Sequence, residues 1–343
     1  SLTAYSAKEI PCRIKLDANE SPYSAISYQP SAVSVKKIIK TLNRYPDPEA
    51  KELKGIISRD LRIKPENVLP GNGSDELIYY LITTFGGPVL YPVPTFSMYG
   101  IISQALGQRH IPIPLDKEFD LDIDKMVSTI KKEKPKLIFL STPNNPTGNC
   151  FSAEKISRIV EFTSSLVTRH SSLVVVDEAY QPFSSGKGFL PFLKDYRNLV
   201  IMRTLSKIGL AGLRLGFLLG DREIIEEVNK VRLPFNVNSL SQAIAAVALK
   251  NKSKINAIIK TIVSERKKIF FEMSKIAGIK VFPSEANFIL FKTKEPERIY
   301  KSLLEKGILI RNIGNSIKGC LRVTIGKPEE NDLFLNFLRD LCD

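Results

Sequence analysis

An amide, a carboxylate, a phenol and an amine stand just beyond the ends of three successive apolar runs. Leu137–Leu140 leads into Ser141-Thr142-Pro143-Asn144-Asn145-Pro146-Thr147-Gly148. Leu173–Val176 leads into Asp177-Glu178-Ala179-Tyr180, and Leu199–Met202 leads into Arg203-Thr204-Leu205-Ser206-Lys207. Short continuous apolar runs of this kind suit strands covered on both faces. In an open α/β sheet, ligands bind beyond the carboxyl ends of the strands, so three such ends predict one shared crevice. An amine beside a carboxylate suits Schiff-base chemistry. Pyridoxal phosphate is the cofactor that fits, because its ring draws electrons only while its pyridine nitrogen stays protonated, and a buried carboxylate keeps it so. Lys207 is then the amine that anchors the cofactor and moves the proton. Asp177 is the partner of the ring nitrogen, and Asn145 and Tyr180 are hydrogen-bond donors to the phenolic oxygen.

The phosphate of such a cofactor needs a cradle. Val68-Leu69-Pro70-Gly71-Asn72-Gly73-Ser74-Asp75-Glu76 passes through glycines into a predicted helix, Leu77–Thr83. The free amides of that first turn, at Ser74 and Asp75, can bind an anion. The side chains of Asp75 and Glu76 are expected to point away from it and to favour the helix dipole instead. Thr204 and Ser206 can complete the cradle, with Arg214 as its charged clamp. Phe96 is a ring that can stack on the cofactor. Taken singly, each piece has an ordinary structural explanation: a turn former, a core aromatic, a solvated lysine. Their order at successive strand ends is what points to chemistry.

The elements that must position these residues alternate in type. Val89–Tyr91, Leu137–Leu140, Leu173–Val176, Leu199–Met202 and Phe217–Leu219 read as strands. Between them lie helical patterns such as Ser152–Phe162, capped at Ser152. This alternation predicts an α/β fold: a mostly parallel mixed sheet sandwiched by helices. A long helical stretch from Ser239 to about Ile276 follows, then strands Phe288–Phe291, Ile308–Arg311 and Leu321–Ile325. The 343 residues suit two domains. The expected division is an N-terminal arm at 1–40 that joins a smaller α/β domain at 237–343, around a large cofactor-binding domain at 41–236.

Bulk properties exclude several classes. No apolar run approaches the length a bilayer needs, and Ser1–Ile10 is too polar for a signal peptide, so the expected location is the cytoplasm. Cys12, Cys150, Cys320 and Cys342 form no C-x-x-C pair, and His110 and His170 lack metal-ligand spacing. The net charge of +14 is spread along the chain. It fits solvated helix faces and attraction of anionic metabolites. Nucleic-acid binding would need a helix-turn-helix or RNA-binding signature, which the sequence lacks.

Three segments resemble the fold-type I pyridoxal-phosphate aminotransferases: Asn145-Pro146-Thr147-Gly148, Asp177-Glu178-Ala179-Tyr180, and Ser206-Lys207-Ile208-Gly209-Leu210-Ala211-Gly212-Leu213-Arg214-Leu215-Gly216. Within that group Leu16-Asp17-Ala18-Asn19-Glu20-Ser21-Pro22, Arg44-Tyr45-Pro46-Asp47-Pro48, Pro234–Ser239 and Leu321–Gly326 are similar to motifs of the histidinol-phosphate aminotransferases. The resemblance implies amino transfer between glutamate and imidazole-acetol phosphate, giving histidinol phosphate and 2-oxoglutarate. It also implies a homodimer in which Tyr45 reaches the cofactor phosphate of the neighbouring subunit. Arg322 would grip the substrate's carboxylate or phosphate, helped by Arg311, Tyr5 and Asn19; a planar guanidinium suits either anion. Three departures stand out, the first being that Lys207 and Arg214 are seven positions apart where eight is common. Phe96 replaces a common tyrosine, and Asp17 replaces a common asparagine. Threonine-phosphate decarboxylases and aromatic-amino-acid aminotransferases share the scaffold and are the rival readings.

Overall fold

The computed structural model describes residues 10–26, 42–165 and 172–342. In chain order its strands are β1 (Ile14–Leu16), β2 (Val68–Gly71), β3 (Val89–Val93), β4 (His110–Pro114), β5 (Leu137–Ser141), β6 (Leu173–Asp177), β7 (Leu199–Thr204), β8 (Gly216–Gly220), β9 (Lys280–Val281), β10 (Phe288–Lys292), β11 (Ile308–Asn312) and β12 (Cys320–Thr324). A seven-stranded sheet runs in the order β2-β8-β7-β6-β5-β3-β4. β8 alone opposes the common direction, since it is antiparallel to both β2 and β7.

The continuous apolar runs have a direct structural cause. Alternate residues of each central strand enter different cores. Ile138, Leu140, Val174 and Val176 pack with Ile156 and Ile159 of helix Ala153–Ser164 and with Met126 and Ile130 of helix Ile123–Glu133. Leu137, Phe139, Leu173 and Val175 pack instead with Leu77 and Leu81 of helix Ser74–Phe85, Tyr99 of helix Met98–Ala105 and Val228 of helix Arg222–Val231. Both faces are therefore dry, and no polar residue can alternate into the strand.

The second sheet has five strands in the order β1-β11-β12-β10-β9. β1 lies parallel to β11, while the other pairings are antiparallel. Three residues near the N-terminus thus share a sheet with strands near the C-terminus.

Some elements differ from the sequence expectation. The helical stretch after Pro234 is two helices, Ser239–Lys250 and Lys252–Met273. They break at Asn251, whose backbone leaves the helical region (φ −100°, ψ 62°) and whose side chain accepts from Lys254 N at 3.4 Å. Asparagine competes with the helix in this way and favours caps. Leu321–Ile325 forms a strand one residue earlier, at Cys320–Thr324. The predicted cap at Ser152 accepts from Lys155 N at 3.4 Å. Strand β4 had no apolar signature. It is a sheet edge, largely exposed, and carries Pro112 and Pro114, which an edge accommodates readily.

Candidate active site

A cavity of about 450 Å³ opens at the carboxyl ends of β5, β6 and β7. The register explains the convergence. Ser141 at the end of β5 is level with Asp177 at the end of β6, and Thr204 at the end of β7 is level with Gly216. The large sheet thereby places Ser141, Asn145, Asp177, Tyr180, Thr204 and Lys207 in one wall. The small sheet closes the opposite side with Arg311 and Arg322, which face each other across β11 and β12.

Asp177 is 4% exposed. Burial raises its carboxyl to about 6, against hydrogen bonds from Tyr99 and from the Ala179 amide that favour the charged form. The Tyr99 hydroxyl donates to Oδ2 at 2.6 Å and Ala179 N donates to Oδ1 at 3.0 Å. Tyr99 is itself fixed by stacking on Phe139, with ring centroids 4.7 Å apart. Burial, then the neighbouring Asp177, push the Tyr99 phenol well above its usual range, so it remains a donor.

Lys207 lies in a short 3-10 turn, Ser206–Ile208, and its ammonium stands 5.6 Å from the centroid of the Tyr180 ring. That turn ends at Gly209, with φ 93°. A Cβ there would lie 2.4 Å from Tyr23 O, so only glycine lets the N-terminal segment cross so close behind the lysine. The Tyr180 hydroxyl accepts from Asn19 Nδ2 at 2.9 Å and keeps its own proton to donate. Asn145 Oδ1 accepts from Arg322 Nη1 at 2.5 Å, which leaves the Asn145 amide N–H groups to donate.

At the other end of the cavity, helix Ser74–Phe85 begins at Gly73, with φ 86° and no side-chain cap. Its first amides are open to an anion. A Cβ at position 216 would come within 3.0 Å of Ser74 N, and one at 73 within 2.8 Å of Arg214 Nη2, so two glycines keep this cradle clear. Ser206 Oγ lies 3.0 Å from Thr204 Oγ1. Arg214 holds a left-handed backbone (φ 50°), the sort of strain that persists where a site requires it. The expectation for Asp75 fails. Its carboxylate does not turn away but lines the cavity and pairs with Arg214 Nη2 at 3.2 Å. With a strong cation so near, attraction to the guanidinium outweighs solvation of an exposed acid. Glu76 does turn away, accepting from Asn72 N and Asn236 Nδ2, each at 2.6 Å.

Phe96 lines the cavity and meets Tyr99 edge-on, with centroids 5.7 Å apart. Arg322 is anchored by Asn145 and by the carbonyl of Asp17, to which Nη2 donates at 2.7 Å. Asn19 is buried in a left-handed conformation (φ 53°), which asparagine tolerates. It accepts Asn287 Nδ2 on its carbonyl and donates its amide to Thr324 Oγ1, each at 3.0 Å. Tyr45 stands apart. It is 81% exposed, stacked on Phe235 at 4.5 Å, and outside the cavity wall. Tyr5 lies outside the described residues. Sequence reasoning missed Tyr99, Lys15, Asp17 and Met98 as parts of this site. The signals were present: Tyr99 follows Phe96 by one helical turn, and Lys15 and Asp17 alternate with the core residues Ile14 and Leu16. Among the described residues no cluster of side chains could hold a metal, and no helix is long and apolar enough to cross a membrane.

The cavity suits pyridoxal phosphate on its own geometry: an open helix start beside Arg214 at one end, a buried carboxylate at the other, and an amine between. This fold and site define an aminotransferase of classes I and II, and the chain belongs to that family, whose model matches residues 13–338. Among curated proteins it is 44% identical to the histidinol-phosphate aminotransferase of Aquifex aeolicus (strain VF5), over 99% of this chain and 95% of that one. Among solved structures it resembles the histidinol-phosphate aminotransferase of Clostridium acetobutylicum, with a TM-score of 0.86 and 26% identity over 96% of this chain and 99% of that one. It also resembles the Sinorhizobium meliloti histidinol-phosphate aminotransferase solved in complex with pyridoxal-5'-phosphate, with a TM-score of 0.85 and 25% identity over 96% and 91% of the two chains.

Proposed function

We propose that the chain transfers an amino group between L-glutamate and imidazole-acetol phosphate, giving L-histidinol phosphate and 2-oxoglutarate, with pyridoxal phosphate as its cofactor. The observation that carries this reading is the pairing of two walls. Lys207 and Asp177 stand on one side of the cavity and the guanidinium-bearing Arg311 and Arg322 on the other. Near-full-length relatives named histidinol-phosphate aminotransferase support the same substrates.

When bound, the cofactor supplies an electron sink for the carbon that loses its proton. The protein's own groups do the rest. Ser74, Asp75 and Ser206 hold the phosphate with their N–H and O–H donors, aided by Thr204, and Arg214 adds charge. Phe96 covers the ring. Asp177 keeps the ring nitrogen protonated, and Tyr99 holds Asp177 in place. Asn145 and Tyr180 donate to the phenolic oxygen. Lys207 would anchor the cofactor and, as general base and acid, would move the substrate's proton. Arg322, with Arg311 and Asn19, binds the substrate's α-carboxylate or the phosphate in its place; a fork of parallel donors suits both. Tyr5 belongs to the same proposed grip.

A homodimer goes with this reading. The stacked, exposed Tyr45 and Phe235, with Leu233 63% exposed two positions away, form apolar surface of the kind that partners cover. Tyr45 then serves the neighbouring site. A cytoplasmic location, and the division into an arm at 1–40, a large domain at 41–236 and a small domain at 237–343, belong to the same proposal. The test is direct. Purified chain with the cofactor, histidinol phosphate and 2-oxoglutarate should form glutamate. Release of carbon dioxide from threonine phosphate, without that glutamate, sinks the reading in favour of a decarboxylase.

A further inference from the structure

We propose that Asp17 is a specificity-determining residue that reads the side arm of the amino donor, accepting a hydrogen bond from a ring N–H such as an imidazole carries. This rests on the transaminase reading above and adds to it the group that distinguishes one amino donor from the other.

The placement follows from strand geometry. Along β1, Ile14 and Leu16 enter the core, so Lys15 and Asp17 take the opposite face, and both line the cavity. Leu16 is level with Ile310 in the parallel pairing, and the next step sets Asp17 abreast of Arg311, which is itself level with Arg322. One wall of the cavity therefore presents a row of three charged side chains, one carboxylate among guanidinium groups.

Asp17 supplies the acceptor in that row. Its Oδ1 is shut off from solvent yet has no hydrogen-bond partner among the described residues. Lys15, Arg311 and Arg322 line the same cavity. The residue is held through its backbone: its carbonyl accepts Arg322 Nη2 at 2.7 Å, and Asn19 two positions on is fixed by four hydrogen bonds. A buried acceptor without a donor costs stability, and native proteins keep one where a ligand completes it. Here the backbone holds the acceptor in position before the donor arrives.

The two amino donors of the proposed reaction differ at this point. Glutamate's arm ends in a second carboxylate, which Asp17 repels. Histidinol phosphate's arm ends in a ring with an N–H, which Asp17 accepts. Removing the carboxylate should therefore weaken binding of histidinol phosphate without weakening that of glutamate, whereas a structural role would move both the same way.

The experiment measures KM and kcat for each amino donor with the full-length holoenzyme, for wild type, Asp17→Ala and Asp17→Asn. Asp17→Ala should raise KM for histidinol phosphate by about tenfold or more, the effect of one hydrogen bond to a charged acceptor. Its kcat should stay within about twofold, because binding energy rather than chemistry is lost, and KM for glutamate should be unchanged or lower. Asp17→Asn keeps an acceptor oxygen without the charge and should recover part of the lost affinity for histidinol phosphate. Equal increases for both donors, or an unchanged KM for histidinol phosphate, overturn the proposal. Should Asp17→Ala fail to fold, as read by circular dichroism, Asp17→Ser carries the same comparison. A wild-type protein that makes no glutamate from histidinol phosphate and 2-oxoglutarate defeats the functional reading itself, and that is seen before any variant is compared.

Discussion

Replacing Tyr99 with phenylalanine removes one hydroxyl from the centre of the site and little else. The ring keeps its stack on Phe139 and its edge contact with Phe96, but Asp177 Oδ2 loses its 2.6 Å donor. Asp177 titrates at about 6, above its ordinary 3.8, chiefly because burial disfavours the charge. A carboxyl raised on folding adds stability that is fully present below its unfolded value and lost as pH rises through its folded value. At neutral pH the charged Asp177 thus costs the cofactor-free fold about 3 kcal/mol, at 1.36 kcal/mol per pKa unit. A hydrogen bond to a charged group contributes about 1.5–3 kcal/mol. Its loss should raise the carboxyl by a further 1–2 units or so, to about 7–8. The penalty of Tyr99→Phe is then itself pH-dependent. Urea unfolding of the cofactor-free chain should show a loss of about 2 kcal/mol at pH values near 8.5 and only about 0.5 kcal/mol near pH 5, where Asp177 is largely protonated in both proteins. Cofactor affinity should run the other way, weakest in the variant on the acid side, where a protonated Asp177 cannot pair with a charged ring. An equal loss at both pH values would show that Tyr99 acts only by packing, and no loss at either would show that its hydroxyl does nothing for Asp177.

Two other substitutions test the walls of the cavity. Lys207→Ala should abolish covalent attachment of the cofactor. Borohydride reduction followed by peptide mass analysis should fix cofactor mass on the Lys207 peptide of the wild type and on no peptide of the variant; mass fixed elsewhere moves the anchor. Arg322→Lys should raise KM for glutamate and histidinol phosphate together, since one ammonium cannot replace a fork that also holds Asn145 and the Asp17 carbonyl. A change for one substrate alone would show that the grip is not shared.

The large sheet was legible because its physics is local. A strand covered on both faces must be apolar throughout, and β5, β6 and β7 each end where the first polar group reaches the cavity. Asn145, Asp177, Tyr180 and Lys207 were found for the same reason: each lies within a few residues of such an end. Strand β4 was illegible because an exposed edge imposes no apolar pattern. The break at Asn251 was hidden because one non-helical residue hardly disturbs a period of 3.6. Tyr99 was passed over because a phenol one turn after Phe96 reads as core, which it also is; only the fold reveals Asp177 at its hydroxyl. The small-sheet wall was the least accessible. Arg322 reaches the Asp17 carbonyl across 305 positions of chain, and Asn19 reaches Tyr180 across 161. No local periodicity encodes such contacts, and Arg311 and Arg322 entered the reading only through resemblance.

The misjudged Asp75 and the missed Asp17 share a cause. Sequence reasoning weighed Asp75 only against an anion and gave Asp17 no role, whereas the cavity sets both acids among cations. Asp75 is matched by Arg214, while Asp17 Oδ1 has no hydrogen-bond partner among the described residues and the Asp177 carboxyl is raised by burial. An acid in that condition costs the fold free energy that a bound ligand can relieve: in the proposed roles, a protonated ring at Asp177 and a ring N–H at Asp17. Occupancy and stability are then linked, because a ligand that binds only the folded chain stabilises it in proportion to its saturation. The same linkage explains why burial is useful at this site. A solvated carboxylate would cost the fold nothing, but it would also bind a cationic ring weakly. Removed from water and held by Tyr99, Asp177 would be satisfied most favourably by a charged ring, as its proposed role requires.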